Sequence, residues 1–523
     1  MTPLQSTLAS AALTAVLTAA ACGGGDASAP PGNASGAAGS LSDGGGAAGD
    51  ASTGGSGGAN QGGAGGSAGS FTSCATEPSP VTGASGKSLV IAMNGDDASG
   101  DGSVAKPLRT LKKACALAQP GDAIEVRGGT WNTPGDKCGA TGTADHPVHV
   151  RPYAGESVIL DATGQPLTKS DAVIAIEQAS YVVLDGFEIA NSSGRGVNCW
   201  ESVGITLRNL RVHDTAYRAL GGGGQDLVIE NNEVWNASLS NENDAFGGGG
   251  WPAAVSTYAR DDGSASRNVV IRNNHIHDVW GECVIALFAD GVTIEGNRIH
   301  DCYSVSLYVD NSRNVRIERN QIWVTTTKYN KKSNGKPATG ITFATESYGS
   351  GVPQQRIENL VIANNLITDT GRGIGYWHDE ANTAAHNTWQ GVSILHNVLR
   401  HTQSAALSFD SVVGAPAPSA GVIANNIVWA GDSQPSLELG DPAAWQLISN
   451  VWPDGKPAED TSAGSLSADP GLSSPQSAST PEGFKLLAGS PCAGAGAPAP
   501  LVSVDFWCAP RSATAPSMGV HEP

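Results

Sequence analysis

From about residue 184 onward the chain repeats one phrase: an aliphatic residue, two variable positions, an asparagine, one variable position and a second aliphatic residue. It reads IENNEV, IRNNHI, IEGNRI, IERNQI, IANNLI, ILHNVL and IANNIV in turn. The aligned asparagines are Asn232, Asn274, Asn297, Asn320, Asn365, Asn397, Asn426 and Asn450, with Phe187 and Leu210 in the same slot upstream. Their spacing gives a period of 22–24 residues, lengthened by insertions in some turns. Within one unit, VVIR, HIHD and CVIALF are short alternating runs separated by polar corners. Alternation of period two predicts strands, and helical periodicity is absent.

Three short strands per period, repeated, predict an all-β fold: a single-stranded right-handed parallel β-helix. The leucine-rich-repeat signature of similar period is missing. Stacked coils lie about 4.8 Å apart, so roughly ten coils make a rod about 50 Å long. An asparagine at the same corner of every coil can bond the asparagines above and below it, which predicts an internal ladder rather than a row of catalytic groups. A solenoid needs covered ends. The stretch PLRTLKKACALAQPGDAIEVRGGTW, residues 107–131, predicts a short amphipathic helix and a strand that cap the N-terminal end.

Composition divides the rest of the chain. Residues 1–21 carry an apolar run of signal-peptide length, too short for a good transmembrane helix. Ala19-Ala20-Ala21-Cys22 predicts cleavage with lipidation of Cys22, and Ala19-x-Ala21 also suits ordinary signal cleavage. Residues 22–84 are rich in Gly, Ala and Ser and predict a disordered linker. Residues 85–135 form the cap, 136–455 the β-helix and 456–523 a closing segment. The expected location is therefore outside the cytoplasm. The protein would be anchored by lipid at a bacterial outer membrane or cell surface, or secreted, with the membrane touched only through that anchor. An exported chain with eight cysteines besides Cys22 permits disulfides. Cys115–Cys138 and Cys492–Cys508 are the favoured pairs.

The net charge of −19 opposes phosphate and argues against nucleic acid as a partner. Candidate chemistry lies at the corners. In HIHD, Ile276 points inward while His275 and His277 point outward. Stacking equivalent positions gives an exterior column of His213, Trp235, His277, His300 and Trp323, followed by Asp214, Asn236, Asp278 and Asp301. Two coils carry insertions after their second strand, residues 236–251 and 324–339, with two short-cornered coils between them. That register predicts a groove with two walls and a two-coil floor, since insertions on one side of a repeat protein commonly form its binding face. The floor offers Asp278, Trp280, Glu282, Asp301 and Tyr303, and the adjacent third strand offers Tyr308 and Asp310. Trp251 ends the first wall. The second wall holds Lys328, Lys331, Lys332 and Lys336 within nine residues. Arg372 and Trp377 follow one coil further on.

The stretch NGDDASGDGSVAKPLRTLKKACALAQPGDAIEVRGGTW and the tail SADPGL…AGSPCAGAG…MGVHEP resemble the opening and closing segments of the pectate-lyase-like right-handed β-helix superfamily. The resemblance covers roughly residues 86–523 and implies the fold. It carries over no catalytic residue, because no lyase family's full motif is present. It implies action on an extracellular or cell-wall polysaccharide, by a monomer, with polysaccharide lyase chemistry ahead of glycoside hydrolase chemistry and of a non-catalytic glycan-binding rod.

A lyase needs a cation beside the uronate carboxylate and a base near C5. Asp278, Glu282, Asp301 and Asp310 are the expected ligands for Ca²⁺, with Lys328 or Lys331 as base. A hydrolase needs two carboxyl groups about 5–9.5 Å apart, such as Glu282 with Asp301 or Asp310. Trp251, Trp280, Tyr303, Tyr308, Trp377, His277, His300, Lys332 and Arg372 are the expected substrate-binding groups.

Overall fold

A computed structural model describes residues 83–247, 251–348, 352–431 and 434–523. The signal segment, Cys22 and nearly all of the linker lie outside the described residues.

Each coil is a first strand, a ladder corner, a second strand, a second corner and a third strand, as in Ser266–Arg272, His275–Val279 and Val284–Leu287. Eleven second strands stack into one sheet, while first and third strands share a 24-stranded sheet. Every strand pairing along the rod is parallel, as in His275↔Arg298 and Val284↔Leu307. The chain is a right-handed parallel β-helix, one coil longer than the repeat count suggested.

The ladder forms as expected. The Nδ2 of Asn274 donates to Asn297 Oδ1 at 3.0 Å, and that of Asn297 to Asn320 Oδ1 at 2.9 Å. The same bond recurs from Asn232 to Asn450. Each amide also donates to a carbonyl one coil back, such as Ile229 O for Asn274. At Leu210, where the slot turns apolar, the backbone N–H takes the last ladder oxygen, Asn232 Oδ1, at 2.9 Å. The residue before each rung is left-handed. Asn231, Asn273, Asn364 and Asn425 have φ of 55°, 54°, 55° and 60°, a conformation asparagine tolerates.

Aliphatic side chains stack inside. Ile271, Ile294, Ile317, Ile362 and Ile394 are in register and fully buried. Each contributes about 1.5–3 kcal/mol by leaving water. The helix Leu111–Leu117 covers the N-terminal end with Leu111, Ala114 and Cys115 buried. Its start is capped by the Thr110 hydroxyl, which accepts from the Lys113 N–H at 3.2 Å. The Cys115–Cys138 disulfide fastens it.

The closing segment does more than cover an end. Beyond Leu466, which bridges Val451, it returns along the flank of the rod. There Arg511 Nη2 donates to Asn364 Oδ1 at 2.6 Å, and Gly519 N donates to Asn425 O at 2.7 Å. The Cys492–Cys508 pairing does not form. Cys492 is a buried free thiol within the packed tail, while Cys508 is disulfide-bonded elsewhere. A second disulfide, Cys283–Cys302, joins two neighbouring coils. Among the described residues, no helix is long and apolar enough to cross a membrane.

Candidate functional site

The two insertions leave the rod at the same corner, as their register implied, but they meet. Trp251 from the first wall and Tyr329 from the second pack onto Trp280 and Tyr303 of the floor, with ring centroids 4.9–6.0 Å apart. All four rings are 2–3% exposed. The Lys331 ammonium lies 5.7 Å from the centroid of the Trp251 ring, and Lys332 donates to the Asn243 carbonyl of the opposite wall. Lys328 donates to the Tyr329 hydroxyl at 2.9 Å. The Cys283–Cys302 bond lies at this floor. Trp251, Trp280 and Tyr303 therefore offer no open face to a sugar. The aromatic side chains expected to line the groove are the ones that fill it.

The carboxylates placed in that groove are turned to the protein itself. Glu282 is 1% exposed and accepts from the Trp251 indole. Asp301 accepts from Thr325 N at 2.8 Å, Thr325 Oγ1 at 2.6 Å and Thr326 N at 3.1 Å. Burial pushes its carboxyl up, but these donors and His300 outweigh burial and hold it low. Asp310 lies on a different face, fully buried beneath Tyr348. Its Oδ1 accepts from Glu346 N and Asn311 Nδ2, both at 3.0 Å. Tyr308, 2% exposed, donates to Glu346 Oε1 at 2.6 Å. Burial first, and then Glu346, push the Asp310 carboxyl well above the usual range. Asp278, Glu282, Asp301 and Asp310 do not come within reach of one ion, so they do not fit as a Ca²⁺ set. Among the described residues the group that does converge is Glu233, His275 and His277.

The exterior column of the second-strand sheet stands as expected. His213, Trp235, His277, His300 and Trp323 are in register and stacked, with centroids 4.1–6.3 Å apart. Asp214, Asn236, Asp278 and Asp301 form the second corner at φ of 49–56°. This turns each aspartate back onto the preceding ring. His277 Nδ1 and His300 Nδ1 each lie 2.7 Å from the carboxylate that follows them.

The outer face of the third strands carries a cluster that the corner-based reading missed. One row of outward positions crosses the coils: Ala175, Asn198, Gly221, Ser256, Ile285, Tyr308 and Thr342 are in register. Arg195 and Arg218 are 23 residues apart, one period, and so sit on adjacent coils. Both donate to one atom, Asn198 Oδ1, at 3.1 Å. Neither is in an ion pair with a carboxylate among the described residues. Arg218 is buried and its Nε has no hydrogen-bond partner. Burial pulls its guanidinium down to about 10, still charged at neutral pH.

Tyr258 packs over Arg218, with the guanidinium carbon 3.8 Å from the ring centroid. Burial pushes the Tyr258 phenol up, but Arg218 and Arg195 outweigh it and hold it below its ordinary value. The loop carrying Tyr258 is tied down by Arg260 to Glu201 at 3.1 Å and by the Trp200 indole, which donates to Asp261 at 3.0 Å. The glycine run of Leu220–Gln225 makes room beneath it. A Cβ on Gly223 would meet Ala259 O at 2.8 Å, and one on Gly221 would meet Ser256 O at 1.9 Å. Four glycines inside a strand signal such a close backbone approach, and with the one-period arginine pair they were the available sequence cue. Trp377 and Arg372 lie further along the same face. Arg372 runs over Gly375, and burial pushes the nearby Asp410 carboxyl up, an effect that the His378 N–H and Arg372 offset only in part.

Residues 89–274 match the family model described as Pel9A-like, right-handed beta helix region, and residues 254–389 match that of the right-handed beta helix region. The chain is 36% identical over 149 residues to the pectate lyase PEL9 of Emericella nidulans. That match covers 26% of this chain and 35% of the relative, so it spans about a third of that protein's length. Among solved structures, the complex of XylC with xylose superposes with a TM-score of 0.52 at 12% identity, covering 74% of this chain and 87% of that one. The pectate lyase Pel9A gives 0.47 at 16% identity, covering 84% and 96%. The likeness to XylC is of fold alone. The chain carries a right-handed β-helix, as its opening segment implied, and residues 89–274 are similar to the Pel9A-like region.

Proposed function

We propose that this protein is an exported carbohydrate-active enzyme that cleaves a uronic-acid-containing polysaccharide by β-elimination on the third-strand face around Arg195, Arg218 and Tyr258. One observation carries the reading: in a chain of net charge −19, two arginines in no close ion pair among the described residues converge on a single asparagine oxygen beside a phenol they acidify. Guanidinium is the side chain suited to a planar carboxylate. The pectate lyase named above supports the substrate class over the matched quarter of the chain.

In this reading Arg195, half-buried at the surface, binds the uronate carboxylate, and Arg218 beneath it adds charge. Neutralising that carboxylate acidifies the C5–H bond. The Tyr258 phenolate takes the C5 proton, and the electron pair forms the C4=C5 bond as the C4–O4 bond breaks. The departing oxygen takes a proton from Tyr258 or from solvent. Trp200, half-exposed and pinned by Asp261, offers a ring for a sugar face. No step needs a metal.

Two other readings remain as outcomes of the test. Glycoside hydrolysis would draw on Asp310 and Glu346, whose raised carboxyl suits a general acid, but Asp310 is sealed from solvent and committed to protein donors. A non-catalytic rod would bind glycan without cleaving it. In the same proposal the chain acts as a monomer held by a lipidated Cys22. The test is incubation with pectate, alginate and glycosaminoglycans. A lyase releases unsaturated ends that absorb in the ultraviolet. Reducing ends without absorbance mean hydrolysis, and binding without cleavage means the rod.

A further inference from the structure

The histidine column contains an arrangement that stacking alone does not require. The Glu233, His275 and His277 ligand atoms lie within 4.8 Å of one another on the outer face of the second-strand sheet. Glu233 Oε1 is 3.9 Å from both His275 Nδ1 and His277 Nε2. Its other oxygen is turned toward Arg211, at 3.4 Å, which leaves Oε1 directed at the histidines.

The hydrogen bonds around the rings set their tautomers. Asp278 accepts from His277 Nδ1 at 2.7 Å, so the His277 Nε2 lone pair is left facing the cluster. That nitrogen is buried and has no hydrogen-bond partner. Asp301 likewise holds His300 Nδ1, at 2.7 Å, which makes His300 Nε2 an acceptor. His275 Nε2 lies 3.1 Å from it and therefore donates, leaving the lone pair on His275 Nδ1 free toward Glu233. Two imidazole lone pairs and one carboxylate oxygen point at a common space, each oriented by a partner behind it. Carboxylate–histidine pairs of this kind are the usual support of a metal-binding imidazole.

We propose that Glu233 Oε1, His275 Nδ1 and His277 Nε2 bind one divalent transition-metal ion of the zinc class, with Asp278 and His300 as the positioning residues behind the two histidines. Ligand atoms sharing a tetrahedral zinc stand about 3.3 Å apart, so the two 3.9 Å oxygen–nitrogen separations, and the nitrogen–nitrogen separation of at most 4.8 Å, close on binding. Two nitrogens and one carboxylate suit zinc, nickel or copper rather than calcium. Three protein ligands leave a fourth position open to water or an exogenous ligand. Within the column Trp235 stacks on one side of His277 and His300 on the other, with Trp323 beyond His300. The site lies on a different sheet from the arginine–tyrosine cluster, so it stands or falls independently of the catalytic reading.

The test uses the full chain, stripped with chelator and titrated calorimetrically with Zn²⁺ alone, then with Ca²⁺ alone. One Zn²⁺ per chain is expected, with a rise in Tm and no matching Ca²⁺ event. His275→Gln and His277→Gln should each weaken Zn²⁺ binding by about a hundredfold or abolish it. Asp278→Asn and His300→Gln should weaken it about 10–100-fold, as lost positioning groups do. His213→Gln, in the same column but outside the cluster, should leave it unchanged. Circular dichroism identifies variants that fail to fold, and Glu233→Gln, at a partly exposed position, replaces any that do. Absence of stoichiometric Zn²⁺ binding overturns the proposal. So does binding that survives both His275→Gln and His277→Gln, or Ca²⁺ binding of equal affinity.

Discussion

The guanidinium carbon of Arg218 lies 3.8 Å from the centroid of the Tyr258 ring, on a face where Arg195 approaches the same asparagine from the next coil. This couples the ionisation of a phenol to two cations, of which the buried one, Arg218, is in no ion pair with a carboxylate among the described residues. Tyr258→Phe should lower kcat by about 10²–10⁴-fold, the range of a lost general base, with little change in Tm.

The same coupling sets a pH profile. Activity needs the phenolate, and the arginines favour the phenolate, so the rising limb should inflect below the ordinary phenol value of about 10. Arg195→Gln removes one of those cations, and the limb should move to higher pH. Initial rates of unsaturated-product formation across pH, on wild type and variant, check this. A limb that stays in place means Tyr258 is not the titrating group.

The filled corner separates packing from catalysis. Trp251→Ala removes an indole buried among three aromatic rings and should cost about 3–5 kcal/mol in urea unfolding. Lys328→Ala and Lys331→Ala, at the rim, should change stability by less than about 0.5 kcal/mol and leave turnover intact. Loss of turnover in the lysine variants with folding preserved would return the active site to this corner.

Asp310 is expected to lower stability at neutral pH. Its folded carboxyl is held well above the usual range by burial and Glu346, so folded protein keeps the proton that unfolded chain releases above about pH 4. That contribution is absent below the unfolded value and grows as pH rises toward the folded one. Asp310→Asn, neutral at every pH, should therefore have a higher Tm than wild type at pH 7. The two should converge below about pH 4. Thermal melts at both pH values decide it.

Each ladder asparagine serves several buried groups. Asn297→Ala removes the acceptor for Asn274 N and Nδ2 and the donor to Ile271 O and Asn320 Oδ1. With unsatisfied buried groups costing about 1–3 kcal/mol each, the loss should exceed about 2 kcal/mol by denaturant titration. Asn232→Leu borders the apolar Leu210 slot and should cost less than Asn297→Leu.

Much of this molecule is local and periodic, and local periodic information is what a sequence displays. The spacing of Asn232 through Asn450 determines the coil. The alternation in HIHD determines which side chains face out, and TLKKACAL determines the cap helix. Those features repeat or sit within a few residues, so no distant contact can overrule them. The exterior column from His213 to Trp323 was legible for the same reason.

What tertiary structure alone decided was the path of the irregular segments. Whether residues 236–251 and 324–339 leave a groove or close over it depends on Trp251 finding Trp280 and Tyr303, across segments with no shared period. The return of the tail along the rod, and with it the unpaired Cys492, rests on contacts such as Arg511 with Asn364, 147 residues away. The arginine pair was present as a 23-residue spacing. Its meaning depended on both guanidinium groups turning to Asn198 and on the loop that lays Tyr258 over Arg218. Sequence determines the order of strands along the rod. Only the folded chain determines which side chains the loops leave uncovered, because that is settled by packing between segments the repeat does not relate.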